Sequence, residues 1–212
     1  MNPSALIELH FLPSIEYFCA LKNFNHVIIE RQENFIKQSF RTRCYILTAQ
    51  GAQRLTVPVI TPSGKNLITD IRIDYTTRWQ NTLWRSVVSA YANAPFFEHY
   101  CDELHKEIFA GHVFLFDLNW KILSLCRTWL QSSTTFSQSE GYEKKLHEGV
   151  SDLRNVISAK KDYQQRNFYN PIPYHQVFGQ TFVPNLSLID LVFCEGPHGT
   201  ALVTASRGEL NK

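Results

Sequence analysis

The feature that most constrains this fold is an apolar stretch near the C-terminus. Residues 186–194 are LSLIDLVFC, in which Asp190 is the one charged side chain, and Gly196-Pro197 follows soon after. A stretch this apolar has to be buried, and a buried carboxylate is costly unless hydrogen bonds or an opposite charge stabilise it. We therefore predict a buried helix over residues 185–195 and a specific set of partners for Asp190.

The residues before this stretch are candidates for a functional site. Tyr174, His175 and Gln176 form an aromatic and polar cluster. Histidine titrates near neutral pH, so His175 is a candidate proton-transfer residue, while Tyr174, Gln176 and Asp190 are candidate ligand-binding residues. The alternatives are a structural role for His175 and, for Asp190, a structural hydrogen bond from a backbone amide or an arginine.

Composition indicates a globular protein and excludes several classes of function. Of 212 residues, 44% are hydrophobic and 19% are charged, which is enough for a core. The net charge of +2 provides no broad basic surface, so we expect no nucleic-acid partner. The five cysteines form no Cys-x-x-Cys pair, and no apolar run approaches the roughly 20 residues that span a bilayer. We expect a cytoplasmic protein without a metal site or a membrane span.

The N-terminal part of the chain predicts two parallel strands joined by a helix. Residues 5–12 are typical of a strand, Ser14 can cap the helix that follows, and residues 26–30 form a short apolar strand. A strand, a helix and a strand in so few residues predict a right-handed crossover in which the two strands are parallel.

The rest of the chain completes the predicted α/β fold class: a mixed sheet containing parallel strands, an N-terminal β-α-β crossover, a β-hairpin and a helical middle region. The hairpin is expected around Gly51, and the helices between residues 77 and 130, where apolar side chains recur at helical spacing. We predict one domain over residues 1–197, with a surface loop at 131–145 and a flexible tail at 198–212.

Polar residues cluster where the predicted parallel strands end. Ligands of open parallel sheets bind outside the carboxyl ends of the strands. Glu8 and Glu30 lie near those ends and are candidate proton acceptors, while Ser14 begins the helix whose amino end faces the same edge. Lys37 and Arg43 follow in a basic segment and, with Ser14, are candidate ligands for an anionic group.

Non-functional alternatives exist for the cations of this region and for the cysteines. Lys37 and Arg41 could be solvated loop charges. Cys44 or Cys194 could be a nucleophile, but a free cysteine is more often a buried, inert side chain. The sequence has no glycine-rich phosphate loop, no Gly-x-Ser-x-Gly elbow and no His-Glu-x-x-His pair, which argues against ordinary kinases, hydrolases and zinc proteases.

Several segments, taken in order, resemble the WbqC-like family. They cover most of the chain outside residues 131–145, and their order is more specific than any one of them. The matching segments are FLPSIEYF (11–18), VIIERQENFIK (27–37), FRTRCYI (40–46), LTVPV (55–59), the aromatic run from Trp79 to Tyr100, DLN (117–119) and PYHQVFGQTFVPNLSLIDLVFCEGP (173–197).

The resemblance implies a role in the synthesis of surface polysaccharides such as O-antigen, through modification of an amino sugar. It leaves the cofactor open. One hypothesis is a cytoplasmic transferase whose ligands are a nucleotide sugar and an acyl or aminoacyl donor. The other is a non-catalytic ligand-binding or assembly protein. Both hypotheses predict that the two ends of the chain enclose a single polar cavity, with Glu8 and Glu30 opposite residues 174–176.

Overall fold

The computed structural model describes residues 4–208. Its β-strands are β1 (Ser4–Ile7), β2 (His26–Ile29), β3 (Arg43–Thr48), β4 (Gly51–Thr56), β5 (Val59–Ile60), β6 (Arg72–Ile73), β7 (Thr135–Gln138) and β8 (Val150–Asp152). Its α-helices are α1 (Ile15–Leu21), α2 (Trp79–Tyr91), α3 (Phe97–Phe109), α4 (Leu115–Trp129), α5 (Leu188–Glu195) and α6 (Gly199–Ala205). No helix within residues 4–208 is long and apolar enough to cross a membrane.

Four short strands form a parallel sheet in the order β7-β2-β1-β8. The N-terminal crossover is confirmed, since β1 and β2 pair in parallel with Ile7 opposite Ile29. Strands β3 and β4 form the predicted hairpin as a separate two-stranded sheet, and Gly51 adopts the left-handed conformation (φ +99°) that the turn requires. The α/β class and the helical middle region are likewise confirmed.

Local sequence explains how the first helix and the sheet are held together. The hydroxyl oxygen of Ser14 accepts a hydrogen bond from the amide of Tyr17, which satisfies one of the free donors at the start of α1. On the inner face of the sheet, Ala5, Ile7 and Val27 are completely buried in the main hydrophobic core. This packing fixes the carboxyl ends of the strands in the position where the candidate site lies.

Two expectations for the second half of the chain are wrong in part. Strand β7 lies within the stretch for which the sequence predicts a surface loop, because backbone pairing with β2 does not depend on apolar side chains. Residues 199–205 form α6 rather than a flexible tail: Val203 is completely buried, and its carbonyl accepts a hydrogen bond from Cys19 on α1. Residues 1–3 and 209–212 lie outside the described part of the chain.

The predicted helix over residues 185–195 is shorter at its start. Helix α5 begins at Leu188, because Asn185 has a positive φ of 56° and the segment before the helix is held by other contacts. The amide of Leu188 donates to the carbonyl of Pro13, and Ser14 forms a β-bridge with Ser187. The C-terminal segment therefore packs directly on the start of α1.

Candidate functional site

A cavity opens beside the carboxyl ends of β1 and β8. Its volume is about 150 Å³, and its lining includes Glu8, Lys37, Arg41, Asn155 and Lys160. Glu8 comes directly after β1, and Asn155 follows β8 by three residues. The edge of the parallel sheet that the sequence indicates as a ligand site therefore does carry a polar cavity. We call it the Glu8 cavity.

The Glu8 carboxylate is buried (1% exposed) and is held at both oxygen atoms. Its Oε1 lies 3.2 Å from Nε2 of His10, and its Oε2 accepts a hydrogen bond of 2.9 Å from the amide of Asn155. The guanidinium of Arg41 lies 3.9 Å from Oε1. Burial raises the pKa of Glu8, but the His10 contact, the charge of Arg41 and the Asn155 amide outweigh burial, so the net pKa is lowered. Glu8 is therefore a carboxylate at neutral pH.

His10 is the immediate partner of Glu8 and is also buried (1% exposed). Its ring packs against Tyr17 and Phe40, with centroid separations of 4.7 and 5.2 Å. Burial lowers the pKa of His10 more than the Glu8 contact raises it, so the ring is neutral at neutral pH. In the neutral form that donates from Nε2 to Glu8, Nδ1 carries a lone pair, and Nδ1 has no hydrogen-bond partner among the described residues.

Arg41 fixes the charge balance of this edge. It is 2% exposed and makes a bidentate contact with Glu33, in which Nε donates to Oε1 over 2.7 Å and Nη2 donates to Oε2. Nη2 also donates to the side-chain oxygen of Asn155 over 2.8 Å. Burial lowers the pKa of Arg41, but the hydrogen bond and charge of Glu33 raise it by more, so the net pKa is raised. The expectation that Arg41 could be a solvated loop charge is wrong, because its side chain is enclosed and paired.

Glu30 belongs to a neighbouring ionic network rather than to the cavity lining. It is completely buried, and its carboxylate accepts hydrogen bonds from Ser139 Oγ (2.6 Å), the Gln32 amide (2.8 Å) and Arg154 Nη1 (3.0 Å). Arg154 also binds Asp152 and lies over the ring of Tyr142. A catalytic role for Glu30 stays a prediction, and its geometry favours a structural role, because each oxygen is engaged and, unlike Glu8, Glu30 does not line the Glu8 cavity.

The C-terminal candidates form a second polar cluster. Both hydroxyls of Tyr91 and Tyr174 donate to the Asp190 carboxylate, over 2.8 and 2.5 Å, and the side-chain amide of Gln176 donates over 2.9 Å. Burial raises the pKa of Asp190 more than these three donors lower it. The prediction that buried Asp190 has specific partners is confirmed, although the partners are neutral side chains rather than an arginine or a backbone amide.

Within residues 4–208, the C-terminal polar cluster does not contribute to the Glu8 cavity. Tyr174, Gln176 and Asp190 bind one another, and the lining of the Glu8 cavity includes none of them. His175 is exposed, unlike the two residues beside it, and is likewise not part of that lining. The expected arrangement, with residues 174–176 opposite Glu8, therefore does not occur. The reason is that the side chains of Tyr174 and Gln176 donate hydrogen bonds to Asp190 on α5.

The remaining candidates, Ser14, Lys37 and Arg43, lie in different environments. Ser14 is 5% exposed and is used as the cap of α1, so its ligand-binding role stays a prediction. Lys37 is exposed and lines both the Glu8 cavity and a second cavity of about 420 Å³. Arg43 lines only the second of these. The structure therefore brings Lys37 close to Glu8 and to Arg43.

Asn155 and Lys160 are site residues that the sequence reasoning missed. Both follow β8, a strand of three residues that alternation of side chains is too short to reveal. Their place beside Glu8 depends on the parallel pairing of β8 with β1, which brings together residues almost 150 positions apart. A local signal existed only for Arg41 and His10, which flank predicted elements.

Burial makes the two candidate cysteines, Cys44 and Cys194, poorly suited to nucleophilic chemistry. Burial raises the pKa of Cys194 to about 12, and burial also raises that of Cys44. Thiols of this kind are poor nucleophiles at neutral pH. Within residues 4–208, no group of three or more His, Cys, Asp or Glu side chains is arranged to hold a metal ion.

Comparisons with known proteins identify the family of this fold. The model of the WbqC-like protein family matches residues 9–172. A relative from Mycobacterium tuberculosis (strain ATCC 25618 / H37Rv), the uncharacterized protein Rv1507c, is 29% identical over 223 aligned residues, which cover 92% of this chain and 95% of the relative. No solved structure matches this chain.

Proposed function

Because this chain belongs to the WbqC-like protein family, we propose that it is a transferase that attaches an acyl or aminoacyl group to the amine of an amino-sugar nucleotide. The resemblance of its motifs to the family implies the substrate class and a place in surface-polysaccharide synthesis. Nucleotide sugars are made in the cytoplasm, so the proposal includes that location.

The observation that carries the proposal is the ionised, buried carboxylate of Glu8 at a cavity beside the carboxyl ends of parallel strands. Glu8 is paired, as buried carboxylates of proteins usually are, but it also contributes to a cavity lining that holds Lys37 and Lys160. A carboxylate next to cations can accept a proton while the cations bind an anionic group of the same ligand.

In the proposed reaction, the neutral amine nitrogen of the sugar attacks the carbonyl carbon of an acyl thioester. A carbon–nitrogen bond forms, the carbon–sulfur bond breaks, and the sulfur leaves with the electron pair. The nitrogen becomes strongly acidic once it carries the new bond, so even a carboxylate with a lowered pKa can accept its proton. Glu8 takes this proton, which the departing thiolate receives afterwards.

Turnover by the purified protein tests this proposal. UDP-linked amino sugars are offered as acceptors and acyl-coenzyme A as donor, and the release of free thiol is measured. We expect Glu8→Gln to lower kcat by about 100-fold or more, while binding of the acceptor, measured by thermal shift, is retained. Glu148→Gln is the matched control, because Glu148 is exposed and lies outside the Glu8 cavity lining. Unchanged turnover in Glu8→Gln would contradict the assignment of Glu8.

A specific observation supports a second candidate, a non-catalytic ligand-binding protein. Both oxygens of Glu8 are already engaged, by His10 and by the Asn155 amide, and accepting a proton would weaken these contacts. If acceptors shift the melting temperature but no donor gives product, and Glu8→Gln abolishes the shift, the binding function is the correct one. The same set of measurements therefore separates the two candidates.

A further inference from the structure

Next to the Glu8 cavity lies a second cavity whose charged lining is entirely cationic. Its volume is about 420 Å³, and its lining includes Lys37, Arg43 and Arg54 together with the hydroxyl-bearing Thr42 and Thr56. No carboxylate contributes to the lining among the described residues. Three positive charges around one cavity repel one another, an arrangement that a bound anion would relieve.

The hairpin is what brings two of these cations to the same cavity. Strands β3 and β4 pair with Arg43 opposite Thr56 and Tyr45 opposite Arg54. Because side chains alternate along a strand, Arg43, Arg54 and Thr56 lie on one face, while the next residue, Cys44, is buried in the core. The cationic face is thus a direct product of the strand register.

The cations that line this cavity remain available for a ligand. Within residues 4–208, no ion pair includes Lys37, Arg43 or Arg54. Arg43 Nη2 donates to the carbonyl of Gln38, but Arg43 Nε is buried and has no partner in the described part of the chain. A buried donor without an acceptor is unusual, so the hydrogen-bonding capacity of the Arg43 guanidinium is not fully used within the described part of the chain.

The cationic cavity continues in both directions. On one side it shares Lys37 and Gln38 with the Glu8 cavity. On the other side it shares Arg54 and Thr56 with a third cavity of about 380 Å³. That third cavity adds Arg78 and Trp79, and the indole Nε1 of Trp79 is a second buried donor without a partner in residues 4–208.

We propose that Lys37, Arg43 and Arg54 bind the diphosphate of a nucleoside diphosphate ligand. Guanidinium groups bind phosphate oxygens through pairs of hydrogen bonds, and three cations suit a group that carries two or more negative charges. Lys37 lines both cavities, so it would place this diphosphate beside Glu8. The identity of the ligand as a nucleotide sugar rests on the proposed function, whereas the binding of a diphosphate by the three cations does not.

Calorimetric titration of the 212-residue protein tests the inference without any need for turnover. The probes are inorganic pyrophosphate, uridine diphosphate and uncharged uridine. We expect pyrophosphate and uridine diphosphate to bind, with an affinity that falls as the NaCl concentration rises, and uridine alone to bind far more weakly. Arg54→Gln should weaken pyrophosphate binding by about tenfold, the typical effect of losing one charge-assisted contact.

Two further variants complete the test. Arg54 is exposed, so Arg54→Gln is expected to fold, and Arg43→Gln should add a comparable loss. Lys121→Gln removes the same charge from an exposed position on α4, outside the linings of these three cavities, and should leave binding unchanged. No binding of pyrophosphate, or an equal loss in Lys121→Gln, would overturn the inference, as would binding of oligonucleotides but not of pyrophosphate.

The failure of this inference and the failure of the proposed function are distinguishable. Absence of pyrophosphate binding would remove the diphosphate site and leave the proton-accepting role of Glu8 to be judged by turnover. Conversely, full turnover in Glu8→Gln would remove the proposed role of Glu8, while a tenfold loss of pyrophosphate binding in Arg54→Gln would still support the cationic site.

Discussion

Glu8 and Asp190 are both buried carboxylates, but the molecule stabilises them in opposite ways. Glu8, 1% exposed, is held by His10, by the cation Arg41 and by the amide of Asn155, and these lower its pKa in spite of burial. Asp190, with no exposed surface, accepts hydrogen bonds from the neutral side chains of Tyr91, Tyr174 and Gln176, and its pKa is raised because burial outweighs those donors. Hydrogen bonds acting together with a nearby cation keep Glu8 ionised, whereas the neutral donors around Asp190 do not outweigh the cost of burying it.

The difference separates a site that can do chemistry from one that holds the fold together. The Glu8 carboxylate adjoins a cavity and further cations, so a ligand can reach a group that is already charged. The Asp190 carboxylate joins α2, through Tyr91, to the segment before α5, through Tyr174 and Gln176. We interpret the Asp190 cluster as structural, and its ligand-binding role stays a prediction.

The largest effect should come from removing the cation of the Glu8 region. Arg41→Met would leave Glu33 and Glu8 buried without their counter-charge, and breaking a buried ion pair in this way costs about 3–5 kcal/mol of the free energy of unfolding. Urea denaturation measures the loss. Arg85→Met, at an exposed position on α2, is the control and should change stability by less than about 0.5 kcal/mol. A small loss in Arg41→Met would mean that the ionic network contributes little.

A somewhat smaller effect is expected at the neutral cluster. Asp190→Ala would leave the hydroxyls of Tyr91 and Tyr174 and the amide of Gln176 without their acceptor, at a cost of about 3 kcal/mol of unfolding free energy. Asp190→Asn keeps one acceptor oxygen and should lose less. Equal stability of Asp190→Ala and the unmodified protein in urea denaturation would show that the cluster is not a structural link.

The smallest effect, and the sharpest contrast, should be in the pH dependence of stability. The pKa values of Glu8 and His10 are lowered on folding. Their contribution to the free energy of unfolding is therefore present above their pKa values in the unfolded chain, about 4.3 and 6.5, and is lost as the pH falls through their pKa values in the folded protein. The pKa of Asp190 is raised on folding. Its contribution to the free energy of unfolding is therefore present below its pKa in the unfolded chain, about 3.9, and is lost as the pH rises through its pKa in the folded protein.

Melting curves of two variants between about pH 3 and 8 check this contrast, because this range includes the pKa values of the three groups in the unfolded chain. The stability that Glu8→Gln lacks relative to the unmodified protein should shrink towards acid pH. For Asp190→Asn the corresponding deficit should shrink towards neutral pH. Parallel curves for the two variants would contradict the opposite directions of the pKa shifts.

Much of the fold was predictable from the sequence, whereas the site was predictable only in part. Ser14 indicated the start of α1, and short apolar segments indicated β1 and β2, because caps and alternation are local signals. Strand β7 was missed because its residues, TFSQ, are mostly polar. Asn155 was missed because its position beside Glu8 depends on the pairing of distant strands.

The sequence by itself determined the crossover and the hairpin, since both follow from local conformational preference. It also determined the burial of α5 and the need of Asp190 for partners, since an apolar stretch must be buried and a buried charge is costly. Only tertiary structure decided which side chains share an environment. Tyr174 and Gln176 joined Asp190 rather than Glu8, and Arg41 and Asn155 joined Glu8 instead. Such choices depend on long-range strand pairing and on competition among buried groups for a limited number of partners.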